Sequence, residues 1–440
     1  MKESYNGLLW AGIVLLCLLF LFFSAALFSP HDASMGEYGT YPYGIGMTAG
    51  YSDGDSIWAH AFGGDSVERA YSVLETYDGN YLVAGSIQSG ITYPYAILVS
   101  ADGDCLDGIQ LNREGYCQGV VETSDGYVLS GTYGKITPAP GYQFFAAKID
   151  RNLDSVWFKT YGGDTTEYNY GIVNAYATPD SGITSTGFVL FGSTRSFGTG
   201  IPTKNNMWML FIDNDGDSVR QRVIPYTGNY NEYSKVAKPI CRNEPSSGYV
   251  CVFAYSPTTN RQARCLATTV YGDSLWGRDF GKLASSYVEG FYSVVQSRDG
   301  GFAMAGMCEA PAGQPYSRAI YFGRVSPSGD SILTTYYEGD GSNKDVASIV
   351  ETPDNNFIIG GWIDSERPWI DADFFLLKVD STGDSLWMHV WGSTLANQEE
   401  FAYDNIITSR GDYVIVGITR GYGANPGTEN IWVLKVKGED

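Results

Sequence analysis

Few residues in this chain have the types and spacing to do chemistry. Asp213-Asn214-Asp215-Gly216-Asp217 sets three carboxylates within five positions, an oxygen-rich pattern that suits a hard cation such as calcium. The same place reads Ser326-Pro327-Ser328-Gly329-Asp330 and Arg151-Asn152-Leu153-Asp154 in related stretches, so a hairpin turn is the better account and no metal site is expected. The histidines are His31, His60 and His389, and the last two both stand two residues after a tryptophan. That marks a repeated surface position, and no catalytic residue is assigned. Glu75, Glu122 and Glu351 recur at the end of similar apolar runs. A ring of them would hold a cation, but support of the following turn is the simpler expectation.

Recognition chemistry is better represented. Tyr133 with Lys135, Arg195 with Phe197, Arg367 with Trp369 and Arg420 with Tyr422 fall in variable, Gly- and Ser-rich connections between apolar runs. Tyr, Trp and Arg are the usual anchors of binding surfaces, and variable loops on a rigid scaffold are where binding resides. These eight are the candidate binding residues. Each is equally well read as an ordinary loop residue, because the chain holds 33 tyrosines.

The scaffold that must carry them is repetitive. Asp-Ser or a close variant recurs at Asp55, Asp104, Asp154, Asp217, Asp273, Asp330 and Asp384, at intervals of 49, 50, 63, 56, 57 and 54 residues. Each period holds four short β-rich runs. In the first these start at Tyr71, Tyr81, Tyr95 and Cys105, with tight turns at Asp78-Gly79 and Asp102-Gly103. Four strands per unit, seven units and no helical period indicate a seven-bladed β-propeller. Copies three and four depart most, with an insertion around Pro179–Ser185 and Val219-Arg220 in place of an aliphatic–Trp pair. The seventh copy ends after three strands, while Ser56–Phe62 supplies an unclaimed fourth at the other end. This N-terminal strand is expected to complete the last blade and close the ring.

Leu8 to Phe28 is apolar and uncharged, long enough as a helix to cross a bilayer, with Lys2 before it and Asp32 and Glu37 after it. The expected organisation is a signal peptide or membrane anchor over 1–28, a Gly/Tyr-rich linker over 29–53 and the propeller over 54–440. Export to the cell surface or beyond follows, with the membrane touched only through the N-terminal segment. Six cysteines lie outside that segment without Cys-x-x-Cys spacing, which argues against zinc. Cys241–Cys251 is a conceivable bridge, and small buried residues are the simpler reading for most. A net charge of −21 argues against nucleic acid, whose phosphates need a basic stripe.

The spacing Asp380-x-x-Gly383-x-x-x-Trp387 resembles the tryptophan-docking motif of quinoprotein-type propellers, with further indoles at Trp58, Trp157 and Trp276. The repeat also resembles secreted propeller repeats of environmental bacteria. Both resemblances imply fold only; no quinone pocket is matched, and no cofactor is expected. The functional expectation is a non-enzymatic binding or scaffold module using its loop-rich face to hold a protein, a glycan or another copy of itself. The alternatives are a secreted glycan-active hydrolase or lyase, and a subunit of an extracellular array or filament.

Overall fold

The computed structural model describes residues 56–134, 141–175, 187–198, 205–224, 232–239, 248–255, 262–281, 288–309, 318–337, 342–364, 372–393, 398–423 and 427–439, with backbone alone at 232–239, 254, 255 and 288. The apolar segment, the linker, Cys241, Lys135, Arg367 and Trp369 lie outside these. Among the described residues no helix is long and apolar enough to cross a membrane.

Short runs rich in Val, Ile, Tyr and Phe, punctuated by Asp, Asn, Ser and Gly, form 28 strands in seven four-stranded antiparallel sheets. Blades I to VI each use four consecutive strands, opening on the inner strands Val67–Glu75, Gly115–Thr123, Glu167–Asn174, Glu232–Pro239, Val288–Gln296 and Asn343–Glu351. Blade VII opens on Glu400–Ile407 and has three consecutive strands; its fourth is Ser56–Phe62, which pairs antiparallel with Asn430–Val436. The expected closure is therefore observed, and copies three and four are complete blades. Each inner strand contacts the inner strands of both neighbours, blade I meeting blade VII. Seven hydrophobic clusters result, one in each joint. This is why the second and third strands read as continuous apolar runs: Tyr413–Thr419 and Asn430–Val436 are buried at every position because sheets cover both faces.

Every blade carries two β-bulges. In the outer strand the unpaired residue is the aliphatic of the Asp-Ser-aliphatic-Trp phrase: Ile57, Leu106, Val156, Val219, Leu275, Ile332 and Leu386. All seven are exposed. A bulge kinks an edge strand, which hinders edge-to-edge pairing, and it re-aims the next side chain. That next residue is the docking tryptophan. Trp58 Nε1 donates to Ala101 O of blade I at 3.0 Å, Trp276 Nε1 to Pro327 O of blade V at 3.2 Å, and Trp387 Nε1 to the carboxylate of Glu439. The receiving turn needs a glycine: at Gly103, with φ +94°, an added Cβ would lie 2.9 Å from the Trp58 ring.

Three joints lack the indole and replace it differently. Between III and IV, Arg220 stands in its place with its guanidinium 4.9 Å from the Tyr271 ring centroid, and Arg222 pairs with Asp273. Between V and VI, Leu333 lies under Gly383. Between I and II, Asp107 takes the tryptophan position, and the opposing turn carries Leu153 in place of glycine, at φ 59°. Leu153 is buried in the joint's core with Ile109 and Phe158 at its margin, filling from the turn side what tryptophan fills elsewhere.

Two expectations follow. A chain starting after Phe62 should melt well below the full protein, because it exposes the Asn430–Val436 edge and removes Trp58 from the closing joint; equal melting temperatures would refute closure. Leu153→Gly relieves about 1 kcal/mol of backbone strain but opens a cavity costing about 2–5 kcal/mol, so chemical denaturation should show a net loss of about 2 kcal/mol.

Candidate functional site

The second bulge lies in the inner strand, an edge that faces the central channel. Its unpaired residues are Tyr71, Gln118, Tyr170, Lys235, Tyr292, Ala347 and Tyr403. Six of the seven line a channel cavity of about 710 Å³; Lys235 is the one described by backbone alone. An inner edge leaves backbone N–H groups without a strand partner, and these need other acceptors. In blades V, VI and VII the residue after the bulge supplies one across the joint. Ser293 Oγ accepts from Ile349 N at 3.1 Å, Ser348 Oγ from Asn405 N at 2.8 Å, and an Asp404 oxygen from Val73 N at 3.1 Å. The bulge side chains are thereby left to the channel.

Arg318 and Trp362 join the cavity from the strand ends on the face of the longer connections, along with Asp345, Phe401 and Asp404. Tyr71 and Tyr403 meet edge to face at 5.1 Å, Tyr71 and Tyr116 at 6.1 Å, and Trp362 and Phe401 at 5.0 Å. Burial pushes the Tyr71 and Tyr403 phenols above their ordinary range and Tyr116 up to about 12. They therefore stay neutral, able both to donate and to accept. Arg318 Nη1 donates to Asp345 Oδ2 at 3.0 Å. At the VII–I joint Glu429 is gripped by Arg69 and by Arg420. The site can stack against ring faces and present neutral donors and acceptors beside paired charges.

The five sequence-designated residues that the structure describes, Tyr133, Arg195, Phe197, Arg420 and Tyr422, lie elsewhere, dispersed over blades II, III and VII. The Tyr133 ring packs on Phe158, Phe197 on Trp208, and Tyr422 stacks on Trp432 while its hydroxyl donates to Gly392 O at 2.9 Å. Arg195 Nε donates to Asn205 Oδ1 at 2.6 Å, and Arg420 pairs with Glu399 and Glu429. None of these five lines the cavity; each is engaged in holding its own loop. The channel tyrosines were missed, although Tyr71, Tyr292 and Tyr403 each stand eight residues before the glycine of the tight turn, at Gly79, Gly300 and Gly411.

The remaining chemical candidates resolve into structure. Glu75 accepts from Ser409 N at 2.5 Å, Glu122 from Tyr77 N at 2.8 Å and Glu351 from Arg298 N at 2.7 Å. Each glutamate caps the turn of the preceding blade, so the turn-support expectation holds, across the joint. Asp213 Oδ1 accepts from Asp215 N and Asp217 N at 3.0 and 2.8 Å, folding the acidic stretch into a hairpin turn. His60 and His389 lie beside Trp58 and Trp387. Cys117, Cys251, Cys265 and Cys308 are buried, and Cys105 is exposed.

No known family model matches the chain, nor does any curated protein. Among solved structures it is similar to BBS1N in complex with ARL6DN, at 8% identity over 89% of this chain and 97% of that one, with a TM-score of 0.48. It is similar also to an ulvan lyase bound to -[GlcA(1-4)Rha3S]-, at 10% identity over 86% and 96%, with a TM-score of 0.48. A third is the α-L-arabinanase of Penicillium chrysogenum, at 11% identity over 90% and 99%, with a TM-score of 0.45. Likenesses this distant speak to fold alone, and the quinoprotein resemblance rests on the indole joints alone.

The Arg69–Glu429–Arg420 cluster makes the rim pH-dependent. Burial alone would raise the Glu429 carboxyl, but hydrogen bonds from both guanidiniums hold it below its ordinary range. A depressed carboxylate gives stability that is present above the ordinary glutamate range and lost as pH falls through the lower folded value. Arg69→Gln should cost about 1–2 kcal/mol at pH 7, discounted for partial exposure, with the gap from wild type narrowing in acid. Urea unfolding at pH 7 and pH 3.5 measures it.

Proposed function

We propose that the protein is an exported, non-enzymatic binding module that takes a carbohydrate into the tyrosine-lined channel mouth on its loop-rich face. The observation that carries this reading is the set of bulge tyrosines. Four tyrosine side chains from four blades line one cavity, beside Trp362, Gln118 and the Arg318–Asp345 pair. Aromatic faces suit the C–H surfaces of a sugar ring, and planar polar groups suit its hydroxyls. The paired charges at the rim and the acidic chain as a whole favour a neutral saccharide over a polyanion.

Bond cleavage would ask for a carboxylate pair free to act as acid and base. Asp345 is held by Arg318, and Asp404 accepts from Ser72 Oγ and Val73 N. These engagements favour holding a glycan over cutting it. Export rests on the apolar segment Leu8 to Phe28.

An array of neutral and uronate-containing oligosaccharides should retain the full-length protein on neutral members. Tyr403→Ala should weaken the best of these about tenfold, the worth of one stacking contact, while the melting temperature falls only by the loss of the Tyr71–Tyr403 ring pair. Retention of no glycan, or undiminished binding by Tyr403→Ala, would reject the reading. New reducing ends in the bound oligosaccharide would instead establish the hydrolase or lyase alternative.

A further inference from the structure

Two buried oxygens without a donor lie beside the same glycine where the ring closes. Glu68, in the inner strand of blade I, is 4% exposed, and its Oε2 has no hydrogen-bond partner. Asn430, which opens the third strand of blade VII, is fully buried, and its Oδ1 has none either. Both oxygens lie against Gly63: a Cβ added there would sit 2.7 Å from Glu68 Oε2 and 2.3 Å from Asn430 Oδ1. One small group between them would serve both. Rotating the amide is no remedy, because Asn430 Nδ2 already donates to Tyr422 O at 3.2 Å and Thr428 O at 2.8 Å. A flip would set oxygen against two carbonyls.

The repeat supplies its own control. Glu167 and Glu400 hold the same place in blades III and VII, and both are satisfied. Glu167 accepts from Thr194 Oγ1 at 3.0 Å and from Ser196 N and Gly163 N at 3.2 Å. Glu400 accepts from Thr419 Oγ1 at 2.7 Å, Ser393 N at 3.0 Å and Gly421 N at 3.2 Å. In blade I the residue opposite the glutamate is Ile87, where those blades have threonine. Glu68 has kept the burial and lost the hydroxyl. A buried acceptor pair with no donor costs free energy comparable to a lost hydrogen bond for each oxygen.

We propose that Glu68 is held as the neutral acid and donates its own O–H to Asn430 Oδ1, a proton-dependent latch between blades I and VII. The charged and titratable surroundings favour this form. Burial raises the Glu68 carboxyl, and the neighbouring Asp65 carboxylate raises it further, against the Gly64 amide, which lowers it. Tyr95, on the third strand of blade I, is itself raised by burial, with a smaller contribution from Glu68. On the blade VII side, Glu429 accepts the Glu68 amide through its carbonyl, while its carboxylate is taken by Arg69 and Arg420. On ionisation the proton leaves to solvent, the O–H···O bond is lost, and two acceptors face each other. A carboxyl raised in the folded state contributes stability that is full in acid and lost as pH rises through its folded value.

The test compares the full-length protein with Glu68→Gln, whose amide is a permanent donor to Asn430. The wild-type folding constant, divided by that of Glu68→Gln, should fall by up to about tenfold per pH unit between the ordinary glutamate range and the raised folded value of Glu68, and level off above it. A ratio constant from pH 5 to 9 overturns the proposal, because a bridging water would then be the donor to an ionised Glu68. Calcium or sodium that raises the melting temperature of wild type but not of Glu68→Gln overturns it too, since a cation would occupy the gap. Should Glu68→Gln fail to fold, infrared spectra decide. Wild type should show a protonated-carboxyl C=O band at pH 7 that moves to higher frequency in Asn430→Ala, and absence of that band refutes the latch.

Discussion

The ring depends on what becomes of the backbone amides on the inner edge of each blade. A four-stranded sheet has two edges, and in a propeller the inner one is turned toward six others around a channel. An amide left there without an acceptor is costly, and water serves it poorly once blades pack together. The solution is a bulge followed by an acceptor: Ser293, Ser348 and Asp404 each reach across the joint to a neighbour's N–H. Blades VI, VII and I are thus each satisfied by the one before, and none of these is a finished unit. The glutamates at 75, 122 and 351 repeat the device at the tight-turn end. Ring closure by Ser56–Phe62 is the same logic applied to the last edge.

The joints tolerate exchange of chemistry as long as their volume and polarity balance. Indole against glycine, leucine against a turn in the reverse sense, and arginine over tyrosine fill equivalent gaps. Where the balance fails by one group, as when Ile87 stands opposite a buried glutamate, the deficit falls on one identifiable oxygen.

Much of this was legible in the sequence for a physical reason. Tight turns require Gly, Asp or Asn at fixed places, so blade number, strand count and the displaced N-terminal strand could be read from turn spacing. The bulges could not, because an extra residue breaks the two-residue alternation by which strands are recognised. The inner strand of blade I was taken to begin at Tyr71; it begins at Val67, and Tyr71 is the residue that interrupts the pattern. The roles of the loop side chains were hidden for a related cause. Loop arginines and aromatics such as Arg420 and Tyr422 look exposed in sequence, yet long loops must satisfy their own backbone and draw these side chains inward.

The distribution of variation then bears on function more than any single residue does. Positions flanking the inner bulge turn into the joints, where Phe291 and Val346 pack in the core and Ser293, Ser348 and Asp404 accept hydrogen bonds. The bulge position itself runs through Tyr, Gln, Tyr, Lys, Tyr, Ala and Tyr. The fold accepts side chains as different as Ala, Gln, Lys and Tyr there, so it places little demand on the identity of the residue. Seven such positions converge on one axis, which turns a repeat built for sameness into a cavity whose wall differs on every side. An asymmetric aromatic wall of this kind can orient a ligand that has no sevenfold symmetry, something that the repeated joints cannot do.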